Sequence, residues 1–421
     1  MKRRTKDVRQ ETLALVSLGC AKNAVDLQVR AGNLLKQGCA LSSDPDRADT
    51  VIVNTCAFIE SARAEAEAEI VRALELKRRG QYGRVVVTGC YPERYPKLKD
   101  AFPGVDEWIG VPQDWVEPKM PALRLTGKAF AYLKIAEGCA HRCAYCAIPS
   151  IRGKYRSRPM ESILREARAL VKSGCRELNV VAQDPMLWRE KSKGEGEQRM
   201  LHLPDLLWAI DRIKGDFWVR VLYSYPSEIT EDFLVWMLTS RHAVRYMDVP
   251  IQHTVPVVLE KMNRKRAIEP SRAAADVLRE VVPDITLRTT IMTGFPGETE
   301  ARFGELMADL KRMQFDHLGA FAYSPEEGTK GAKMRGRPRR EVAEERERLV
   351  MEQQERIWEL KARRMLGMEF AALVVAPGVA RMESQAPDVD GVVYVDCDEV
   401  GEFVKVRLVK VKGFDFIGVV V

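Results

Sequence analysis

Apolar runs of strand type alternate with amphipathic helical segments over the first 125 residues of the chain. The strand-type runs are short and almost wholly apolar, whereas the segments between them place apolar residues at helical spacing. The predicted strands are residues 12–18, 50–54 and 84–88, and the predicted helices are residues 26–37 and 59–79. This alternation predicts a parallel sheet covered by helices on both faces.

The same alternation recurs six times over residues 128–325. The predicted strands are 131–136, 177–182, 218–223, 246–251, 286–292 and 317–323, and the predicted helices are 161–172, 204–213, 231–238, 272–281 and 299–313. Repeated βα units of this kind predict a partial (β/α)6 barrel. Its chemistry should lie at the carboxyl ends of the strands, as in the full eight-unit barrel.

The pattern changes again towards the end of the chain. Residues 338–364 are densely charged with sparse apolar positions, which predicts an exposed connecting helix. Beyond it, short strand-type runs alternate with glycine turns, which predicts a small β-barrel. These runs are residues 372–375, 392–395, 403–411 and 416–421. We therefore expect a multidomain α/β protein with an N-terminal α/β domain (10–125), a barrel core (126–335), a connecting helix (336–367) and a C-terminal β-barrel (368–421).

Composition narrows the class of protein further. The chain has 421 residues, of which 46% are hydrophobic and 30% charged, as in ordinary globular proteins. Its formal net charge of +7 is too small to establish nucleic-acid binding. Nine cysteines, an odd number, argue against a disulfide framework. Charged residues interrupt the leader-like start, and no apolar run approaches the ~18 residues of a membrane helix, so we expect a cytoplasmic protein.

Three cysteines lie close together after the first predicted strand of the barrel. Cys139, Cys143 and Cys146, the barrel triad, have the spacing C-x3-C-x2-C with no fourth cysteine nearby. Three thiolates can hold three irons of a four-iron cluster and leave the fourth iron open for a reaction. The alternative is a structural zinc site, which needs four protein ligands, with His141 as the fourth. We favour the cluster because His141 lies inside the cysteine loop and would have to fold back onto it.

A second set of cysteines is scattered in the sequence. Cys20, Cys56 and Cys90, the N-terminal triad, each come just after a predicted strand. Because the carboxyl ends of parallel strands lie on one edge of a sheet, we expect the three thiols to converge there and bind metal together. The alternative is that they are ordinary buried residues, which is our interpretation of the remaining three cysteines, Cys39, Cys175 and Cys397.

The barrel triad and its setting resemble the radical S-adenosylmethionine (SAM) superfamily in motif, position and strand–helix count. The resemblance implies that the amino and carboxylate groups of SAM chelate the open iron. It also implies that one electron from the cluster cleaves SAM to methionine and a 5′-deoxyadenosyl radical, which abstracts a hydrogen atom from an unactivated carbon. Such chemistry needs the low end of cluster potentials, which reach about −700 mV.

The second triad and the C-terminal barrel together resemble the methylthiotransferases over essentially the whole chain. In that family the N-terminal cysteines bind a second 4Fe–4S cluster, and the last domain is called TRAM. Members modify either a tRNA adenosine or an aspartate of a ribosomal protein. The strings that resemble the protein-modifying branch are residues 17–23, 54–59, 250–253, 323–329 and 386–391. Ala21 and Pro185 stand where that branch usually has proline and threonine, but neither departure removes a cluster ligand.

The resemblance implies roles for individual residues. The barrel triad would hold the SAM-cleaving cluster, and the N-terminal triad a second cluster whose open iron carries the sulfur; these six cysteines are the candidate catalytic and metal-binding residues. SAM would be used twice, to methylate the sulfur and to make the radical, and the methylthio group would join the β-carbon of an aspartate in small-subunit ribosomal protein S-twelve. An electron donor such as flavodoxin or ferredoxin is implied, and a monomer is expected. The candidate SAM-binding residues are Tyr145, Arg288, Gly294 and Gly297.

These SAM-binding candidates also have plain structural interpretations. Tyr145 could pack on a nucleoside base or fill the core. The segment 294–299 could approach SAM, or it could be a tight turn with Thr299 as the N-cap of the next helix. Arg288 could face the pocket or form an ion pair. Gln252 and His253 could touch substrate or simply pack.

Two rival functions remain open at this level. One is a tRNA adenosine methylthiotransferase, and the other is an iron–sulfur carrier or RNA-binding scaffold without chemistry. From Glu369 onward there are nine Asp and Glu against five Lys and Arg, a local net charge of 5 − 9 = −4. That sign disfavours tRNA phosphates and suits a basic ribosomal protein, although the charge could also serve only solubility.

Overall fold

The computed structural model describes residues 10–112, 123–192 and 199–421. The chain divides into two compact units. The N-terminal unit comprises Met1–Leu125 and Ser150–Arg152, and the main unit comprises Thr126–Pro149 and Gly153–Val421. Among the described helices, none combines the length and the apolar character that a membrane crossing requires.

The N-terminal unit is built on a five-stranded sheet in which every pair of neighbours is parallel, with the strand order β2-β1-β3-β4-β5. Its strands are β1 Thr12–Ser17, β2 Ala40–Leu41, β3 Ala48–Thr55, β4 Tyr82–Gly89 and β5 Glu107–Ile109. Its helices are α1 Ala21–Lys36, α2 Glu60–Arg78 and α3 Cys90–Arg94, with a 3₁₀ turn at Pro96–Ala101. The three predicted strands and the parallel α/β fold are confirmed. The short edge strands β2 and β5 were not predicted, because two or three half-exposed residues carry little pattern.

The main unit begins with six βα repeats. Its strands up to residue 322 are β6 Phe130–Lys134, β7 Ala136–Glu137, β8 Arg156–Ser157, β9 Glu177–Val181, β10 Arg189–Lys191, β11 Met200–His202, β12 Trp218–Val221, β13 Tyr246–Asp248, β14 Thr286–Thr293 and β15 His317–Ala322. The helices up to residue 313 are α4 Ile148–Arg152, α5 Met160–Lys172, α6 Leu203–Asp211, α7 Glu231–Thr239, α8 Pro256–Lys261, α9 Ile268–Val281 and α10 Glu300–Met313. Helix α4 ends within the segment that belongs to the N-terminal unit.

Six parallel strands form an open barrel wall. Strands β6, β9 and β12 make one three-stranded sheet, and β13, β14 and β15 make another. A single parallel bridge between Val219 and Ala243 joins the two sheets. Alternate strand residues such as Leu178, Val219 and Leu287 pack outward against the helices in one large apolar core. The predicted partial (β/α)6 barrel is therefore confirmed.

The C-terminal residues form a closed five-stranded barrel with the order β16-β17-β18-β20-β19. Its strands are β16 Glu369–Ala376, β17 Val379–Met382, β18 Val393–Tyr394, β19 Phe403–Lys412 and β20 Asp415–Val420. The small β-barrel is confirmed, but strand β17 was not predicted because Arg381 interrupts its apolar run. The Arg381 side chain is nonetheless only 3% exposed, for a reason that lies in the loop that follows β17.

The segment between β17 and β18 closes the amino-terminal end of the six-stranded barrel. Arg381 and Arg220 both pair with the Glu177 carboxylate, and all three side chains are buried. Further along the segment, the Asp390 carboxylate accepts hydrogen bonds from Tyr246 Oη (2.7 Å) and from the Arg288 guanidinium (2.6 Å). These partners lie at or near the first residues of their strands. We call residues 381–390 the plug.

Helix α11, Arg340–Met365, corrects one prediction. The sequence suggested an exposed connecting helix, but one face of α11 is buried against β14 and β15, including Ala343, Val350 and Ile357. Arg346 on the same face is 6% exposed and donates to Glu298 Oε1 at 2.8 Å. The charge density hid this face because the buried positions include polar residues that find partners.

Candidate active site

The N-terminal triad lies at the carboxyl ends of three adjacent strands. Cys20 is the N-cap of α1 just after β1, Cys56 follows β3 directly, and Cys90 is the first residue of α3 after β4. The order β1-β3-β4 in the sheet places the three at one edge. Their charges influence one another, since Cys20 and Cys56 both raise the pKa of Cys90. The predicted convergence is what the structure shows.

Two glycines permit this close approach. Gly19 has φ +89°, and a Cβ there would lie 2.8 Å from Cys56 Cβ. Gly89 has φ +102°, and a Cβ there would lie 2.6 Å from the carbonyl oxygen of Thr55. Both conformations are in the left-handed region that favours glycine. The Gly-Cys pairs at 19–20 and 89–90 are therefore required by packing at the sheet edge.

Arg152 is the buried cation of the N-terminal triad, and the sequence gave no signal for it. Its guanidinium lies 3.4 Å from Cys90 Sγ and 3.2 Å from Asn23 Oδ1, and also pairs with Asp26. Burial raises the pKa of Cys90 to about 12, and Arg152 opposes that rise. At Cys20, desolvation is outweighed by Lys22 and Arg152, so its pKa lies below the usual value.

The barrel triad lies on a loop that begins at β7 and is fixed at its start by Glu137. The Glu137 carboxylate pairs with Lys134 at 2.7 Å and accepts hydrogen bonds from the Gly138 amide (3.0 Å) and Gln183 Nε2 (3.1 Å). Gly138 has φ +75°, and a Cβ there would lie 2.3 Å from the Lys154 carbonyl oxygen. The residue before Cys139 therefore has to be glycine.

Two side chains of the loop, on either side of Cys143, are held by one stack of rings. His141 Nε2 lies 2.6 Å from Asp184 Oδ2, and its ring stacks on Tyr225 with centroids 3.8 Å apart. The Arg264 guanidinium covers the other ring at 4.2 Å from the Tyr225 centroid. Arg264 also donates to Tyr145 Oη at 3.2 Å. We call Arg264 and Tyr225 the clamp.

The clamp bears on the zinc alternative. Because His141 is engaged by Asp184 and Tyr225, it is not aimed back at the three thiols as a fourth ligand. Among the described residues, no group of three or more His, Cys, Asp or Glu side chains surrounds a single metal ion. In a four-iron cluster each thiolate binds a different iron, so the thiols need not converge on one point.

The electrostatics of the barrel triad suit an anionic metal cluster. Burial raises the pKa of Cys146 to about 12 and that of Cys139 to about 11, with mutual thiolate repulsion as a further cause. Arg264, which is 3% exposed, favours the thiolate at both positions. Its Nε has no hydrogen-bond partner among the described residues. Thiolates without bound iron would be costly here, so the site fits metal-bound thiolates beside a compensating buried cation.

Polar side chains without partners lie at the carboxyl ends of the barrel strands. Ser224 Oγ, Gln252 Oε1 and Gln183 Oε1 are buried and have no hydrogen-bond partner among the described residues. They follow β12, β13 and β9 respectively. Gln252 has φ +69° and Tyr223 has φ +71°, which is unusual for side chains of this size and typical of functional sites. Unsatisfied buried acceptors and donors at this end of the barrel fit the polar groups of a bound SAM molecule.

The predicted SAM-binding residues do not lie together. Tyr145 is at the barrel triad, hydrogen-bonded to Arg264 and packed edge-on against Phe295 at 6.3 Å. Gly294 faces helix α11, where a Cβ would lie 2.2 Å from Ala343 Cβ, so helix packing accounts for this glycine. Gly297 has φ +98° in the turn before α10, which Thr299 caps by accepting from Arg302 N at 3.4 Å.

Arg288 corrects one expectation. It lies near the start of β14, whereas the cysteine loop and the unpaired polar groups follow the carboxyl ends of their strands. Its guanidinium pairs with Asp390 of the plug, so the structure shows the ion pair rather than the pocket contact. His253 is fully buried, with Nδ1 accepting from the Val255 amide at 3.0 Å, which is a packing role.

The remaining cysteines divide by burial. Cys175 is 1% exposed and belongs to the main apolar core, as expected for an ordinary buried residue. Cys39 and Cys397 are only half-buried, so that expectation is wrong for these two. The nine cysteines thus comprise two convergent triads and three residues outside them.

Comparison with protein families matches three parts of the chain. Residues 12–110 match the family described as Uncharacterized protein family UPF0004, residues 133–310 match the Radical SAM superfamily, and residues 375–421 match the TRAM domain. Among solved structures, the radical S-adenosylmethionine methyltransferase TsrM from Kitasatospora setae is similar in fold, with a TM-score of 0.51 and 17% identity. That similarity covers 75% of this chain and 74% of TsrM. Fold and cysteine loop together define a radical SAM enzyme.

Curated relatives narrow the class. Proteins named ribosomal protein uS12 methylthiotransferase RimO are 37% identical in Desulfitobacterium hafniense, covering 97% of this chain and 98% of the relative. The same name belongs to a protein of Moorella thermoacetica, which is 40% identical over 96% of this chain and 98% of the relative. The chain belongs to the RimO family of radical SAM methylthiotransferases. Its cofactors are accordingly 4Fe–4S clusters, two being typical of the family, together with SAM.

Proposed function

We propose that this protein adds a methylthio group to ribosomal protein uS12, at the β-carbon of an aspartate. The observation that carries the proposal is the presence of two separate cysteine triads, each at strand carboxyl ends and each beside a buried arginine. One triad would suffice for SAM cleavage alone. Two triads, on a chain that shares 35–40% identity with RimO proteins over nearly its whole length, support transfer of a sulfur-containing group.

Each triad has a distinct role in the proposal. The barrel triad holds the cluster that binds and cleaves SAM, and the N-terminal triad holds the cluster that carries the sulfur. When bound, these groups supply one-electron and sulfur-transfer chemistry that amino-acid side chains lack. The protein's contribution is to hold both sets of thiolates, to supply Arg152 and Arg264 as counter-charges, and to present unpaired polar groups to SAM.

The proposed SAM contacts are fewer than the sequence suggested. Tyr145 stays in the set because it lies on the triad loop beside the clamp. Ser224, Gln252 and Gln183 join it because their buried polar atoms have no partner among the described residues. Gly297 keeps a possible backbone role at the turn before α10, whereas Gly294 and Arg288 are accounted for by packing and by the plug.

Charge on the C-terminal barrel supports a basic protein substrate less strongly than the count of residues suggested. Asp390 is buried in the plug, and Glu369 on β16 pairs with Arg407 and Lys405. Four carboxylates remain exposed between β18 and β19. They are Asp396, Asp398, Glu399 and Glu402. This short acidic segment is the part of the barrel that would attract a basic ribosomal protein.

A deletion strain complemented with this chain tests the substrate. We expect intact-mass analysis to find uS12 heavier by one methylthio group in place of hydrogen only when the chain is present, and peptide fragmentation to place it on an aspartate. Nucleosides of total tRNA, analysed from the same cells, should be unchanged. A methylthio-adenosine that depends on the chain, with unmodified uS12, would instead establish the tRNA activity.

Substitution of Arg264 tests the clamp. Arg264→Met removes the buried charge and the hydrogen bond to Tyr145, so the cluster midpoint potential should become more negative and SAM cleavage should fall by about 10–100-fold, as for other outer-shell partners of metal sites. Arg264→Lys keeps the charge and should restore much of the potential. The measurement is a redox titration followed by electron paramagnetic resonance, with iron content as a check on loading. An unchanged potential in Arg264→Met, at full iron content, would show that the residue only supports the loop.

A further inference from the structure

A cavity of about 800 Å³ in the main unit reaches the first cysteine of the barrel triad. Of the triad, only Cys139 lines it. Its floor includes the turn at Gly153, and its apolar lining includes Pro149 and Leu187. The volume lies within the range of sites that receive a ligand or an inserted side chain.

The rim of this cavity is positively charged. Arg142, Lys154 and Arg189 line it, and all three are exposed. No Asp or Glu is among the described residues that line the cavity. The carboxylate nearest in sequence to the lining, Asp184, is 1% exposed and engaged with His141, so it does not offset the rim.

The charge pattern selects the occupant. A basic ribosomal protein would be repelled by three exposed cations, whereas an acidic protein would be attracted and oriented by them. A single-stranded RNA would also be attracted, but nothing about its recognition requires contact with a cysteine of the triad. A protein that must pass an electron to a cluster does require such contact. Cys139 provides it, because a cluster bound there would have one of its sulfur ligands at the cavity wall.

We propose that this cavity, the Cys139 cavity, is the docking site of an acidic one-electron carrier protein of the flavodoxin or ferredoxin class. The inference rests on the proposed function, which requires a reduced cluster at the barrel triad. One electron passes from the reduced carrier to the cluster: the carrier is oxidised by one electron, the cluster is reduced by one, and no proton or atom is transferred. Lys154 and Arg189 steer the carrier, and Cys139 lies on the path of the electron.

Charge reversal of the rim tests the proposal on the anaerobically reconstituted full chain. The double variant Lys154→Glu, Arg189→Glu leaves the cysteine loop intact. Its matched control is Arg168→Glu, Lys172→Glu, which makes the same charge change at two exposed positions of α5 outside the cavity. Stopped-flow absorbance follows cluster reduction by a fully reduced flavodoxin of net negative charge, and, separately, by dithionite.

We expect the rim variant to be reduced by flavodoxin on the order of tenfold more slowly than wild type at low salt, since steering of this kind changes association rates by at least that much. The difference should shrink as salt rises. Reduction by dithionite, the cluster midpoint potential and dithionite-driven SAM cleavage should match those of wild type and the control.

Three outcomes would overturn the docking site. The first is equal flavodoxin rates in the rim variant and wild type, and the second is an equal slowing in the α5 control. The third is a rim variant that loses binding of a single-stranded RNA or of uS12 while its reduction by flavodoxin is unchanged. Failure of the proposed function would look different, because wild type reduced by dithionite would then leave uS12 unmodified whatever the rim variant does.

Discussion

Replacing Cys139, Cys143 and Cys146 together by alanine will abolish formation of 5′-deoxyadenosine, whereas replacing Cys20, Cys56 and Cys90 will leave SAM cleavage in place and stop methylthio transfer. The two triads lie at the strand ends of different sheets, and each has its own buried arginine. Removing the ligands of one cluster therefore should not empty the other. The measurements are anaerobic assay of 5′-deoxyadenosine, mass analysis of uS12, and iron and sulfide per chain.

The chain offers a matched control for both triple variants. Cys39, Cys175 and Cys397 lie outside the triads, so their triple replacement by alanine removes as many thiols but no proposed ligand. We expect this variant to keep the iron content and both activities of wild type, while each triad variant loses half of the iron. Full methylthio transfer by the N-terminal triple variant would disprove the two-cluster mechanism.

Glu177→Gln will lower the free energy of unfolding by about 3–5 kcal/mol, because it leaves Arg220 and Arg381 buried without their shared carboxylate. All three side chains are no more than 3% exposed, and the site is where the plug enters the barrel. Denaturant unfolding followed by circular dichroism measures the change. A double variant that also carries Arg381→Met should recover part of the loss, because it removes one uncompensated cation.

Glu369 provides the control for Glu177. It also pairs with two cations, Arg407 and Lys405, but on the exposed surface of β16, where solvent screens such pairs. Glu369→Gln should therefore change the unfolding midpoint much less than Glu177→Gln. Equal losses from the two substitutions would show that the buried triad does not hold the plug.

The Glu177 site also predicts a dependence on pH. Burial by itself would raise the pKa of Glu177, but Arg381 and Arg220 outweigh it and hold the pKa below its ordinary value. A carboxyl whose folded pKa is lowered contributes its full stability above the unfolded pKa of about 4.3 and loses it as pH falls below that value. Wild type should therefore lose stability in acid more steeply than Glu177→Gln, which has no proton to gain at this position.

Local patterns predicted the parts of the fold that depend on local residues. Apolar runs such as Val51–Val53 are specified by neighbours in sequence, so the strands that carry Cys20, Cys56 and Cys90 were found from the sequence. The parallel arrangement then fixed which edge the three cysteines share, because all carboxyl ends of such strands lie together. The barrel triad was found from its spacing alone.

Long-range partners escaped the sequence for a physical reason. Arg152 and Arg264 are two of many cations in a chain with 67 Lys and Arg, and nothing local distinguishes them from a solvated side chain. Helix α11 was predicted to be exposed because its buried face includes Arg346 and Gln354, whose partners lie more than 35 residues away in the sequence. Arg288 was assigned to SAM for the same reason, since its partner Asp390 is 102 residues away.

The sequence by itself determined that two cysteine triads lie at strand ends of α/β sheets, because strand formation and parallel order follow from local apolar patterns. Only the tertiary structure decided which charges accompany them. It placed Arg152 and Arg264 beside the triads, turned Asp390 into the plug, and left Lys154 and Arg189 exposed around Cys139. Whether a charge is buried, paired or free depends on contacts between distant segments, and those contacts exist only once the chain has folded.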